Sequence, residues 1–154
     1  NEALPKEARR YKVAKSAQEA HEAIRPTALE YAPGRVQDFL GRPIALENVS
    51  SYLTYDASEM KEEDFLVAIA KRSGCKILLD VNNVYVSASN HGFNADDYVD
   101  AIPSELIAQL HLGGYSDMGN FLFDTHSRAP TDPVWDLYKR VIKRVPAVPA
   151  HNQS

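Results

Sequence analysis

Ile77-Leu78-Leu79-Asp80-Val81 decides the fold class, because it is a short apolar run bounded by turn residues, as a buried strand is. Two further runs share this character, Ile44-Ala45-Leu46-Glu47 and Ile107-Ala108-Gln109-Leu110-His111-Leu112. None of them alternates apolar and polar residues, and near-continuous apolar runs are typical of parallel strands covered on both faces. The sequence therefore predicts an α/β protein with three parallel strands and flanking helices, either as a barrel or as a doubly wound sheet.

Helical patterns follow each of these strands. The first helix is predicted between Ser58, as its N-cap, and Gly74 at its end. Asn94 is predicted to cap a shorter second helix. Asp132 is predicted to cap the third, which has the clearest apolar stripe in the chain. This alternation of strand and helix agrees with a parallel sheet.

The two ends are less regular than the middle of the chain. Residues 1–35 are expected to form a helical N-terminal segment of uncertain role, interrupted at Pro33 and Gly34. Residues 36–148 are expected to form the βα-barrel core that carries the metal site. Residues 149–154 are expected to be a truncated tail, because they turn polar where a further strand is due.

The composition and net charge of the chain indicate which kinds of binding partner to expect. With 44% hydrophobic and 25% charged residues, the chain has the composition of one globular domain that can bury a core. Its net charge of −4 provides no basic stripe, so neither nucleic acid nor a membrane is an expected partner. Cys75 is the single cysteine and is expected to be a buried, unreactive side chain. The absence of disulfide pairing, signal peptide and long apolar run predicts a cytoplasmic protein.

Polar side chains recur at the C-terminal ends of the three predicted strands, where Glu47, Asp80 and His111 follow one another at intervals of one βα unit. Parallel strands bring these ends to one rim, which carries the active site in (β/α)8 barrels. Asp124 and His126, two residues apart, add a carboxylate and an imidazole on one side of an extended segment. Mixed imidazole and carboxylate ligands suit iron, manganese or zinc, so the sequence predicts a metal site.

Each of these residues also has an ordinary structural interpretation. A carboxylate after a strand often caps the next helix, and a lone histidine at a strand end is more often a satisfied core group than a ligand. The coincidence of three strands favours the metal site. Asn82, Asn83 and His91 are weaker candidates for metal or substrate binding, because clusters of asparagine and glycine are ordinary turn residues.

Several longer motifs, in a fixed order, make the sequence recognisable. They are Leu46-Glu47-Asn48-Val49-Ser50-Ser51-Tyr52, Leu78-Leu79-Asp80-Val81-Asn82-Asn83-Val84-Tyr85-Val86, Asn90-His91-Gly92-Phe93, Gln109-Leu110-His111-Leu112-Gly113-Gly114, Asp124-Thr125-His126 and Asp132-Pro133-Val134-Trp135. The series closely resembles the multinuclear non-heme iron-dependent oxidative enzymes, the family that includes the methanobactin-biosynthesis oxidase. The resemblance extends from about residue 36 to residue 148.

The resemblance implies a TIM-type (β/α)8 barrel, partial in this chain, with two or three irons at its C-terminal rim. It also implies oxidation, with dioxygen, of cysteine residues in a ribosomally made precursor peptide that a small companion protein presents. The residues that match the family's metal-ligand motifs are Glu47, Asp80, Asn82, His111, Asp124 and His126. Substrate contacts are expected from Asn83, His91 and Tyr115.

The sequence departs from the family in ways that predict an impaired enzyme. Family members are nearly twice as long, and the histidines of their early strands have no counterpart here. Tyr115 stands where the family commonly has histidine. A partial barrel would leave strand edges open, so self-association is expected. Two other functions remain open, a divalent-metal barrel hydrolase or isomerase, and a non-catalytic fragment that binds a peptide.

Overall fold

The computed structural model describes residues 32–54, 58, 60–144 and, for their backbone, 150–152. The first helix within the described residues covers residues 32–40 (α1). The later helices are α2 (Glu62–Ser73), α3 (Val81–His91), α4 (Ala95–Ala101) and α5 (Asp132–Ile142). The strands are β1 (Ala45–Glu47), β2 (Lys76–Asp80), β3 (Ile107–Leu112), β4 (Tyr115–Asp117), β5 (Leu122–Asp124) and β6 (Ala150–Asn152).

Four of the strands form one parallel sheet in the order β1-β2-β3-β6. The register places Glu47 beside Leu78 and Asp80 beside His111, so the polar residues that end the first three strands lie at one edge. The predicted α/β class, with three parallel strands and flanking helices, is confirmed. The arrangement is compatible with part of a TIM-like fold.

The main hydrophobic core joins the sheet to its helices. Its fully buried strand residues include Ile77, Leu79 and Leu110, which belong to one cluster with Val99 of α4 and Val134 of α5. Cys75 lies in the same cluster and is buried, as predicted. Burial of the strand side chains fixes the register of β2 and β3, and with it the positions of Asp80 and His111.

The helix α3 follows the second strand directly, where turn residues were predicted. The Oδ1 atom of Asp80 accepts a hydrogen bond from the backbone N–H of Asn83 at 2.9 Å, so this carboxylate caps α3. Because the cap is the last residue of β2, the helix begins directly at Val81 and includes both asparagines. The interpretation of Asn82 and Asn83 as turn residues was wrong.

Other boundaries also differ from those expected. The helix α2 begins at Glu62 after Lys61, not at Ser58. A run of acidic residues occupies its first turn, where negative charge interacts favourably with the positive end of the helix dipole. Thr131, not Asp132, is the N-cap residue of α5. The other two expected helix limits, Gly74 as C-cap and Asn94 as N-cap, agree with the structure.

The chain ends differ as well. Pro33 and Gly34 lie within the helix at 32–40 and do not interrupt it. The rest of the predicted N-terminal segment, residues 1–31, falls outside the described residues. The tail was expected to carry no strand, but the backbone of Ala150–Asn152 pairs in parallel with β3 as strand β6.

Candidate metal centre

Three neighbouring strands deliver the first half of the candidate site. β1 ends at Glu47, β2 ends at Asp80, and His111 lies beside Asp80 in β3. The Nδ1 atom of His111 is 3.0 Å from Oε1 of Glu47 and 3.2 Å from Oδ2 of Asp80. Two carboxylates therefore converge on one imidazole at the C-terminal edge of the sheet.

The second half comes from the segment after β5. The Nε2 atom of His126 is 2.9 Å from Oδ2 of Asp80, and its Nδ1 atom is 2.6 Å from Oδ1 of Asp124. Asp124 and His126 therefore offer a carboxylate and an imidazole together, as expected, but the segment is not extended at His126, whose backbone is left-handed with φ of 50°. This conformation sets the imidazole between the two carboxylates.

Asp80 is the centre of the cluster. Its side chain is fully buried. Its Oδ1 atom accepts a hydrogen bond from the backbone N–H of Asn83, and its Oδ2 atom contacts both His111 and His126. Asp80, His111 and His126 each offer one ligand atom, and these atoms lie within 4.8 Å of one another. A carboxylate with two imidazoles at this spacing is a donor set that a divalent transition metal can use.

Burial and neighbouring charges shift the pKa values of Asp80 and His126 in opposite directions. Burial raises the pKa of Asp80, although the Asn83 amide and the two imidazoles lower it. For His126, burial lowers the pKa, but the charges of Asp80 and Asp124 raise it more, and the net pKa is raised. A metal ion would take the place of the protons that these groups share, so binding would release protons.

Two buried amide oxygens beside the cluster have no hydrogen-bond donor among the described residues. Asn82 is fully buried and donates from Nδ2 to Oδ1 of Asp124 at 2.9 Å, while its Oδ1 has no partner. Asn83 donates to the carbonyl of Asn48 at 3.0 Å, and its Oδ1 also lacks a partner. Buried acceptors are normally satisfied, so these two oxygens fit a site that holds a cation or a polar ligand.

The cluster opens into a pocket of about 290 Å³. Its lining residues are Glu47, Val49, Ser50, Asn83, His111, Asp124 and His126. Of the expected substrate-contacting residues, Asn83 is therefore beside the cluster.

The other two expected substrate contacts, His91 and Tyr115, do not line this pocket. The Nε2 atom of His91 is 3.0 Å from Oγ of Ser51, in a separate pocket of about 330 Å³. The ring of Tyr115 stacks on Tyr85 with centroids 5.5 Å apart. Tyr115 is the strand partner of Asp124 across β4 and β5, but neither Tyr115 nor His91 lines the pocket beside the ligand cluster. Their role in substrate contact stays a prediction.

Gly113 lies against the candidate site, although its motif alone did not predict a role for it there. A Cβ atom at this position would lie 2.5 Å from Cδ2 and 2.8 Å from Nε2 of His126. Glycine is needed here because the imidazole occupies the space of a side chain. A pair of glycines directly after the strand that carries His111 was the signal for this close approach.

Replacing Gly113 by alanine is expected to displace the His126 ring and weaken binding of Co²⁺ by roughly tenfold to a hundredfold, as loss of a ligand's support does. The measurement is a titration of metal-free protein with Co²⁺, followed by absorption. Gly34→Ala is the matched control, because a Cβ at Gly34 meets no atom within 4 Å. Equal Co²⁺ affinity in Gly113→Ala and Gly34→Ala would show that the close approach to His126 is unimportant.

The parallel sheet and the carboxylate–imidazole cluster at its C-terminal edge define an α/β protein with a candidate metal centre. The model of a family described as RiPP precursor modification enzymes, MbnB/TglH/ChrH, matches residues 21–151. The chain belongs to this family, which confirms the resemblance found in its motifs.

The chain is also similar to proteins designated UPF0276. It is 54% identical to one from Anaeromyxobacter sp. (strain Fw109-5) over 71% of this chain and 39% of the relative. It is 44% identical to one from Acaryochloris marina over 80% of this chain and 46% of the relative. The chain therefore matches less than half the length of these relatives. Within the described residues, no helix combines the length and apolar character needed to cross a membrane.

Proposed function

We propose that this chain carries an iron site that serves oxidative modification of cysteine in a ribosomally made precursor peptide. The observation that carries the proposal is the convergence of His111 and His126 on one buried oxygen of Asp80. Membership of a family described as RiPP precursor modification enzymes supports a peptide substrate. Because the chain corresponds to less than half of its relatives, the activity belongs to the proposal.

Asp80, His111 and His126 are the proposed ligands of one ion, with Glu47 on the open side of the cluster. Asp124 and the carboxamide oxygen of Asn82 are the proposed ligands of a neighbouring ion, which agrees with the two or three irons that the sequence resemblance implies. Bound iron would supply the one-electron chemistry with dioxygen that these protein side chains lack.

The protein side chains have separate tasks in this proposal. Asp80 is fully buried, whereas the side chain of Glu47 is 41% exposed, so a substrate side chain would reach the cluster from the Glu47 side. Asn83 lines the pocket and is the proposed substrate contact in its wall. A companion protein that presents the precursor peptide is part of the proposal, as is a location in the cytoplasm.

The test is elemental analysis of the whole chain purified without oxygen, followed by incubation with a cysteine-containing peptide with and without dioxygen. We expect at least one equivalent of iron and a dioxygen-dependent change in peptide mass. Zinc or manganese with activity independent of dioxygen would favour the barrel hydrolase or isomerase. Absence of any bound metal would favour the non-catalytic, peptide-binding alternative.

Self-association is a separate expectation from the sheet. Among the described strands, β1 and β6 each pair with only one neighbour, and such edges can pair with another chain. Sedimentation velocity over a range of protein concentrations should show a mass that rises with concentration. A single well-folded monomer at all concentrations would contradict this expectation.

A further inference from the structure

The hairpin of β4 and β5 carries one candidate ligand and leads directly to another. Asp124 is the last residue of β5, and His126 follows two residues later. Among the strands that the structure describes, β4 and β5 pair only with each other, as a two-stranded sheet apart from the main sheet. Because an isolated two-stranded hairpin is marginally stable, contacts outside it must fix its position relative to Asp80.

Asn90, near the end of α3, makes one such contact on the edge of β5 that faces away from β4. Its Oδ1 atom accepts from the backbone N–H of Leu122 at 2.8 Å, and its Nδ2 atom donates to the Leu122 carbonyl at 3.0 Å. The same Nδ2 atom is 3.3 Å from the carbonyl of Ser51. One carboxamide therefore pairs with both backbone groups of Leu122, as a neighbouring strand would.

Tyr52 makes the second contact on the same edge. Its hydroxyl oxygen accepts from the backbone N–H of Asp124 at 3.0 Å, and it lies 2.9 Å from Oγ of Ser50 in the pocket wall. Its ring packs against Phe123 and Phe121, with centroids 5.5 Å and 6.2 Å away. The hydroxyl therefore contacts the C-terminal end of β5, and the ring packs on Phe123 within the strand and on Phe121 just before it.

We propose that Asn90 and Tyr52 are positioning residues that set β5 in the register the metal site needs. With β5 held at Leu122 and Asp124, the Asp124 carboxylate meets the Asn82 amide and the Nδ1 atom of His126. The opposite nitrogen of His126 then meets Asp80. The inference uses the metal site of the proposed function, but it concerns how the site is built and not its substrate.

Tyr52→Phe is the sharpest variant, because it removes one hydroxyl and keeps the ring contacts. We expect Co²⁺ binding to weaken by roughly fivefold to tenfold, with an altered ligand-field spectrum, since the Asp124 amide loses its acceptor. The thermal unfolding transition of the metal-free chain should be nearly unchanged. Tyr138→Phe, which removes a phenol hydroxyl from α5, is the matched control and should bind Co²⁺ as the wild type does.

Asn90→Asp tests the other contact without changing the size of the side chain. It keeps the acceptor for Leu122 N–H but sets a carboxylate oxygen against the carbonyls of Leu122 and Ser51. We expect Co²⁺ binding to weaken by roughly tenfold to a hundredfold. Asn94→Asp is its control, because asparagine and aspartate are comparable N-cap residues.

The outcomes separate this inference from the proposed function. If the wild type and both variants bind Co²⁺ with equal affinity and identical spectra, the metal site stands and the positioning role is overturned. If the wild type binds no Co²⁺, the metal proposal fails, and NMR signals of the His126 ring in the metal-free chain decide the positioning role. Shifted His126 signals in Tyr52→Phe and Asn90→Asp, but not in their controls, would support it, and unshifted signals would overturn it.

Discussion

Asp80→Asn should abolish stable metal binding while leaving the metal-free chain folded. The asparagine keeps an oxygen for the Asn83 amide that begins α3, but it sets an uncharged NH₂ group where Oδ2 meets His111 and His126. Loss of an outer partner of a ligand already weakens metal binding roughly tenfold to a hundredfold. Loss of the shared anionic oxygen is therefore expected to cost more than about a hundredfold. Metal content after equilibrium dialysis against Co²⁺ measures the effect.

The stability of the same variant provides an independent check. Burial raises the pKa of Asp80, so removing the charge relieves part of the cost of burying it, and the metal-free chain is expected to stay folded. Asp100→Asn is the control, since Asp100 is paired with Arg140 and Arg144 on the surface and does not line the pocket. If Asp80→Asn keeps the Co²⁺ content of the wild type, Asp80 is not a metal ligand.

Asn48→Ala should produce the largest loss of stability among the polar residues around the site. Asn48 is buried, donates from Nδ2 to the Asp80 carbonyl at 2.9 Å and accepts at Oδ1 from the Asp80 N–H at 2.8 Å. Alanine leaves the buried Asp80 N–H without its acceptor, which costs about 1–3 kcal/mol, and removes one of the donors to the Asp80 carbonyl, which as the N-cap carbonyl of α3 still accepts within the helix and loses about 0.5–1.5 kcal/mol. We therefore expect the free energy of unfolding to fall by about 2–4 kcal/mol, from a total that is commonly about 5–15 kcal/mol.

Urea denaturation of the metal-free chain, followed by circular dichroism, measures this loss. Asn94→Ala is a suitable comparison, because Asn94 is an exposed N-cap residue whose removal costs about 1 kcal/mol. If Asn48→Ala loses no more stability than Asn94→Ala, the two bonds to Asp80 contribute little to the fold.

The strands that carry the candidate ligands were predictable because buried parallel strands have continuous apolar runs. The limits of β3 agree with the predicted Ile107–Leu112, and those of β2 differ by one residue at each end. The convergence of Glu47, Asp80 and His111 followed from parallel pairing alone. The ligand roles of these residues stay predictions, but their meeting at one edge is a property of the fold.

Features that depend on contacts distant in sequence were not predictable. The bonds from Asn48 to Asp80 and from Asn90 to Leu122 each span 32 residues, and neither asparagine differs locally from a turn residue. The three-residue strands β4 and β5 are too short to show a period. The start of α3 was missed for a related reason, because its cap, Asp80, also belongs to a strand.

The covered edge of β5 also limits how a peptide can approach the pocket. Proteins that bind extended peptides often add them as a new strand to an open sheet edge, using main-chain hydrogen bonds that ignore sequence. Here the outward-facing groups of Leu122 and Asp124 are already taken by Asn90 and Tyr52. Under the proposed function, a precursor peptide could not dock on this side of β5 by strand addition, so recognition there would depend on its side chains.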